Sequence, residues 1–138
     1  MDNPVLLDTH TWVWLAEGRE HLVSPSVELM EKASESSLLR VSVISVWEIG
    51  MLEAKGRLRF DMDCLDWIDR ALSLPGISLM PLTPTICVRS CNLPIGLDGD
   101  PVDRLIVATA RELQAVLVTR DKRILDYAEA GNVHAIAI

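Results

Sequence analysis

The sequence predicts a three-layer α/β/α fold on a central parallel sheet of five strands. Short apolar runs such as Val5-Leu6-Leu7 and Ala115-Val116-Leu117-Val118 lack polar alternation, which suits strands covered on both faces. Segments bearing helix start and stop signals separate these runs. The two kinds of segment alternate along the chain, as βα units do. A length of 138 residues is read as a single domain, 1–138, able to bury a core without disulfides or structural metal.

Each element has local grounds. Val5 to Asp8 is strand one, and Thr11 to Glu17 a short helix ending near Gly18. Ser24-Pro25 reads as an N-cap followed by Pro at the first helical position, opening a helix to about Ser34. Arg40 to Ile44 is strand two; Ser45 then caps a helix to about Lys55, stopped by Gly56. Asp63 to Leu74 is helical and closed by Pro75-Gly76. Ile77 to Leu82 is strand three, and Thr83-Pro84 starts a helix that fades before Pro94. The loop from Ile95 to Gly99 leads to Asp100-Pro101, a cap with Pro behind it, and a helix to about Gln114. Strand four is the run Ala115 to Val118; a helix from Lys122 to Ala130 and strand five, Val133 to Ile136, complete the chain.

Composition narrows the function classes. A net charge of −7 argues against coating nucleic acid through bulk positive charge, though not against a nuclease whose bound metal offsets its carboxylates. Three cysteines without a C-x-x-C, Cys64, Cys87 and Cys91, suggest neither a disulfide framework nor a zinc knuckle. Cys87 and Cys91 share a helix face and read as small buried residues. His10, His21 and His134 are scattered without zinc-ligand spacing. The N-terminus lacks a basic n-region, and no stretch approaches membrane-spanning length. The expectation is a cytoplasmic protein.

Four acidic residues stand where such a fold gathers its strand ends: Asp8, Glu48, Asp103 and Asp121. Open α/β sheets place their crevice at the carboxyl ends of the strands. Carboxylates converging there repel unless a hard divalent cation, Mg²⁺ or Mn²⁺, joins them. Each also has a local explanation. Ser45-Val46-Trp47-Glu48 fits the capping box S-x-x-E. Asp103 occupies the third helical position after the Asp100 cap, where the helix dipole holds an anion ionised. Asp121 fits an N-cap. Asp8 is harder to explain locally, because it ends a strand buried on both faces. In the helix that carries Asp103, Val102, Leu105, Ile106, Thr109 and Leu113 form a core-facing stripe, with Asp103 at its edge.

Four segments in order, Val5-Leu6-Leu7-Asp8-Thr9-His10, Ser42-Val43-Ile44-Ser45-Val46-Trp47-Glu48-Ile49, Asp100-Pro101-Val102-Asp103-Arg104-Leu105-Ile106-Val107-Ala108-Thr109-Ala110 and Leu117-Val118-Thr119-Arg120-Asp121, resemble the successive motifs of a PIN domain, with VapC-type toxins the nearest likeness. The resemblance implies a Mg²⁺- or Mn²⁺-dependent ribonuclease. Asp8, Glu48, Asp103 and Asp121 match its four acidic positions, and Thr9 and Thr119 the hydroxyl positions beside them. Asp100 reads as a cap with a supporting place in the cleft. The implied chemistry is metal-assisted in-line hydrolysis leaving a 5′-phosphate and a 3′-hydroxyl. Arg104, Arg120, Lys122 and Arg123 are candidates for contact with the RNA backbone, against the alternative of ordinary solvated charges; Arg57 and Arg59 form a second basic element. The likeness also implies a homodimer and a small antitoxin whose basic residue competes with metal for the carboxylates.

Trp12, Trp14, Trp47 and Trp67 suit core or subunit interface better than base stacking. Two other classes remain open. A haloacid-dehalogenase-type phosphatase wants a second Asp where His10 stands, and a receiver domain wants neighbouring acids and a late Lys. A binding module holding a partner's Arg or Lys in an acidic cleft needs no cleavage at all.

Overall fold

The computed structural model describes residues 2–18, 24–94 and 97–138; His21 and the Ile95-Gly96 part of the predicted loop lie outside them. In chain order the elements are β1 (Val5–Leu7), α1 (Thr9–Ala16), α2 (Pro25–Glu35), β2 (Leu39–Ser42), α3 (Val43–Ala54) and α4 (Cys64–Ala71). They continue with β3 (Ile77–Met80), α5 (Pro84–Ser90), α6 (Pro101–Leu113), β4 (Val116–Thr119), α7 (Lys122–Glu129) and β5 (Ala135–Ala137). The strands form one parallel sheet in the order β3-β2-β1-β4-β5.

Alternation along the central strands divides the core between the two faces. Val5 and Leu7 of β1 point into a cluster with Trp12 of α1, Met30 of α2, Ile49 of α3 and Trp67 and Ile68 of α4. Leu6 of β1 and Leu117 of β4 point to the other face, against Val102, Ile106 and Val107 of α6 and Ile124 and Tyr127 of α7. This is the predicted α/β/α sandwich. Trp12 is fully buried, tilted against Trp67 with ring centroids 5.9 Å apart, and Trp67 stacks on Phe60 at 4.3 Å. Truncating a buried Trp to Ala costs about 3–5 kcal/mol, so this aromatic cluster anchors that face. Trp14 packs against the same cluster, whereas Trp47 is 57% exposed.

Several expected boundaries shift, and two of the shifts matter for the site. Helix one starts at Thr9, with Asp8 as its N-cap rather than the last strand residue. Ser42, not Ser45, caps α3: its Oγ accepts from the Ile44 N–H at 3.1 Å. The run Val41-Ser42-Val43-Ile44, β-branched at three of its four positions, suits either state locally, and tertiary packing ends the strand two residues early. Both strands therefore run into helices without a loop. The cysteine expectation also fails: Cys87 and Cys91 are exposed, because short α5 buries Ile86 and Ser90 instead. The Asp103 helix is buried beyond its stripe, with Val107, Ala108 and Ala110 enclosed as well.

Candidate functional site

Strand order reverses at β1. The chain leaves it towards β2 and β3, then crosses to β4 on the other side. In such sheets the crevice lies at the carboxyl ends of the strands flanking that reversal, here Leu7-Asp8 and Thr119-Arg120-Asp121. The two ends are stitched together. The Asp8 N–H donates to the Val118 carbonyl at 3.2 Å and the Thr11 hydroxyl to the same oxygen at 3.0 Å.

Asp8 is only 7% exposed, yet both oxygens are engaged. Oδ1 accepts from the Thr11 N–H at 2.8 Å, and Oδ2 accepts from the Thr119 hydroxyl. Such bonds offset the cost of taking a carboxylate out of water. The Thr119 oxygen in turn accepts from the Asp121 N–H at 3.0 Å. One buried hydroxyl thus sets the position of Asp8 and the backbone of Asp121 together. Asp121 is the N-cap of α7: its Oδ1 accepts from the N–H groups of Arg123 and Ile124 at 2.9 and 3.3 Å.

Asp103 sits in the first turn of α6, whose N-cap is Asp100 accepting from the Val102 N–H at 2.8 Å. The Arg123 guanidinium donates to Asp103 Oδ2 at 2.8 Å and lies 3.8 Å from Asp121 Oδ1. Burial, then the charges of Asp100 and Asp121, push the Asp103 carboxyl up from 3.8 to about 6; Glu48 adds to this and Arg123 opposes it. The helix N-terminus therefore does not lower the Asp103 value as its position suggested. Burial and crowding by three other acids win.

Glu48 differs most from expectation. With α3 starting at Val43, Glu48 is the sixth helical residue, beyond the first turn, so the capping box does not form. Ser45, fully buried, instead accepts from the Thr9 hydroxyl at 2.8 Å. Thr9 thus ties α1 to α3 rather than facing the carboxylates. Glu48 is half-buried, and its field reaches Asp103.

The predicted basic residues divide. Arg123 is committed to the acidic residues, and Lys122 pairs with Asp126 at 3.2 Å. Arg120 is exposed. Arg104 is half-buried, and its Nε has no hydrogen-bond partner among the described residues. Arg59 lines a separate pocket of about 420 Å³ beside Phe60, Trp67 and Arg70, next to the last turn of α1. Sequence reasoning missed Thr11 and Ser45. Thr11 was findable, since an Asp three residues before it is the spacing of an N-cap to its third helical N–H. The Thr9–Ser45 bond joins residues 36 apart and has no local signal.

The PIN domain family matches residues 5–130. The chain belongs to the PIN-domain family. Over 120 residues, 87% of this chain and 88% of the relative, it is 32% identical to Ribonuclease VapC22 of Mycobacterium tuberculosis. Solved structures with the same fold include VapBC2 from Rickettsia felis bound to promoter DNA, with a TM-score of 0.69 at 16% identity over 96% of this chain and 97% of the other. DNA-bound VapBC from Salmonella typhimurium gives 0.68 at 12% identity over 99% and 98%. A toxin–antitoxin complex from Klebsiella pneumoniae gives 0.60 at 19% identity over 96% and 95%.

PIN-domain nucleases of the VapC type depend on divalent metal. Among the described residues no three His, Cys, Asp or Glu side chains stand close enough to hold an ion together. Mg²⁺ does not demand that, since it commonly takes one or two carboxylates and keeps several waters. The donor set around Asp103 and Asp121 is all oxygen, and a cationic guanidinium rests against both carboxylates. These residues fit a hard cation.

Proposed function

We propose that this protein, as one PIN domain over residues 1–138, is a ribonuclease dependent on Mg²⁺ or Mn²⁺ and the toxin half of a toxin–antitoxin pair. The observation that carries the reading is the Thr119 hydroxyl joining Asp8 to the Asp121 backbone at the sheet's reversal point, in a chain with 32% identity to a protein named as a ribonuclease. In this reading one or two of the carboxylates of Asp8, Asp103 and Asp121 ligate a cation that keeps several of its waters, and Glu48 on α3 is the fourth acid of the cleft. When bound, a divalent ion neutralises the scissile phosphate and acidifies an attacking water. The chain's own residues do the rest. Thr119 and Thr11 fix the Asp8 carboxylate, so that its position is set before substrate arrives. Asp100 and Thr9 serve the framework, as helix cap and as interhelical tie. Arg120 and Arg104 are the residues for RNA phosphates.

No described helix is long and apolar enough to cross a membrane. The reading places the protein in the cytoplasm as a homodimer, restrained by a small antitoxin with a basic residue for the acidic cleft. The test is cleavage of single-stranded RNA by the purified chain with Mn²⁺ or Mg²⁺. Asp8→Asn and Asp103→Asn should each abolish it while circular dichroism stays native. Equal cleavage by wild type and Asp103→Asn removes the site assignment, whereas a purified wild type that does not cleave RNA favours an acidic cleft that binds a basic partner without cleaving.

A further inference from the structure

We propose that Arg123 is a built-in counter-cation of the acidic cleft, bridging Asp103 and Asp121, which a divalent ion must displace to bind. The proposal rests on the metal-site reading above and concerns how that site is held before metal arrives.

The guanidinium meets two carboxylates, with the Gly99 backbone beside it. One Nη lies 2.8 Å from Asp103 Oδ2, and Nε lies 3.8 Å from Asp121 Oδ1. The other Nη lies against Gly99, where a Cβ would come within 3.1 Å of it. Gly99 has φ of +100°, a conformation that suits glycine and lets the backbone approach the guanidinium. The main chain positions Arg123 too, since its own N–H donates to the capping oxygen of Asp121. Arg123 therefore leaves the same helical turn as one carboxylate and reaches the other.

The arrangement is built to yield. The Arg123 side chain is 56% exposed whereas that of Asp103 is only 20% exposed, so the cation can swing into solvent while the anion stays. Mg²⁺ bonds carboxylate oxygen at about 2.0–2.1 Å. A guanidinium bonded to one oxygen of Asp103 and close to the neighbouring carboxylate competes with a divalent ion for the same negative charge, and two cations at such separation repel. Arg123 lies against both carboxylates at once. It holds the pair ready while the stronger cation is absent. Displaced, it becomes a free arginine at the rim of the site.

The test is Mn²⁺ titration by calorimetry on the full chain at pH 7.5, with folding of each variant verified by circular dichroism. Arg123→Gln should bind Mn²⁺ about two- to fivefold more tightly than wild type, the factor of a partly exposed ion pair. Arg123→Lys, which keeps the charge but loses the fork, should fall between them. Lys122→Gln removes the same charge one residue away and should leave affinity within about twofold, which separates displacement from net charge. If Asp103→Asn weakens binding but Arg123→Gln and Arg123→Lys match wild type, the counter-cation role is overturned and the metal site stands. Wild type without measurable binding, or an Asp103→Asn variant that binds equally well, overturns both. Should Arg123→Gln fail to fold, Arg123→Lys alone decides, and wild-type affinity in it is the overturning result.

Discussion

Replacing Asp103 by Asn should stabilise the metal-free protein at neutral pH, although it removes an ion pair and a favourable helix-terminal charge. The Asp103 carboxyl titrates at about 6 in the folded chain against 3.8 when free of its surroundings. Between those values the folded state binds more protons than the unfolded one, so Asp103's contribution is fully present below the unfolded value and is lost as pH rises through about 6. A rise of that size corresponds to about 3 kcal/mol at about 1.4 kcal/mol per pH unit. Solvent screening of the partly exposed carboxyl reduces it to about 1–2 kcal/mol. Asn never ionises and keeps the contribution. For a chain of this length the gain appears as about 3–8 °C in Tm. The assay is a pair of melts in chelator, wild type against Asp103→Asn, at pH 7.5 and again at pH 4. The gap should be open at the higher pH and closed at the lower, while titrations common to both proteins cancel. If Asp103 serves only the helix terminus, its loss costs about 0.3–1 kcal/mol instead. A variant that melts at or below wild type at pH 7.5, or a gap that does not change with pH, refutes the reasoning.

Three further outcomes follow from the same contacts. Thr119→Val should destabilise by about 1–3 kcal/mol, because it leaves a buried Asp8 oxygen and the Asp121 N–H without their shared partner, and RNA cleavage should fall with it; Thr119→Ser should restore both in denaturant titration and nuclease assay. Gly76→Ala should cost at least about 2 kcal/mol, since a Cβ there would lie 2.0 Å from the Ser34 carbonyl oxygen at φ of +76°; chemical denaturation measures it, with cleavage per folded molecule unchanged. Mn²⁺ at about a hundredfold over its Kd should add about 2.7 kcal/mol to wild type by mass action and far less to Asp8→Asn, while chelator leaves the wild-type circular dichroism spectrum native.

The layered fold was legible because its signals are local. Val5-Leu6-Leu7 announced a strand buried on both faces, and Asp100-Pro101 announced the start of α6, cap and all. The join between β2 and α3 was not, since Val41 to Ile44 satisfies strand and helix alike and two serines compete as cap. The true one, Ser42, is chosen by the pairing of β2 with β3, which reaches from Ser42 to Met80. Strand order was equally out of reach, because parallel pairing joins segments separated by helices. At the site, the four acids were visible as residue types, Asp8 and Asp121 after strands and Glu48 and Asp103 on helices. That Thr119 links Asp8 to Asp121, and Arg123 bridges Asp121 to Asp103, depends on side chains brought together from distant segments.

The Thr119–Asp8 hydrogen bond spans 111 residues of chain, and that separation orders events in time. Strand β1 is made first yet pairs with β4, so the carboxyl ends that build the crevice meet only after Val116–Thr119 has left the ribosome. Contacts this far apart in sequence form slowly, because the entropy of closing the loop is lost before any pairing compensates it. A nascent chain carrying Asp8, Glu48 and even Asp103 therefore has no assembled cleft. A chain that ends before β4 lacks Thr119 and Asp121 and so lacks the crevice altogether.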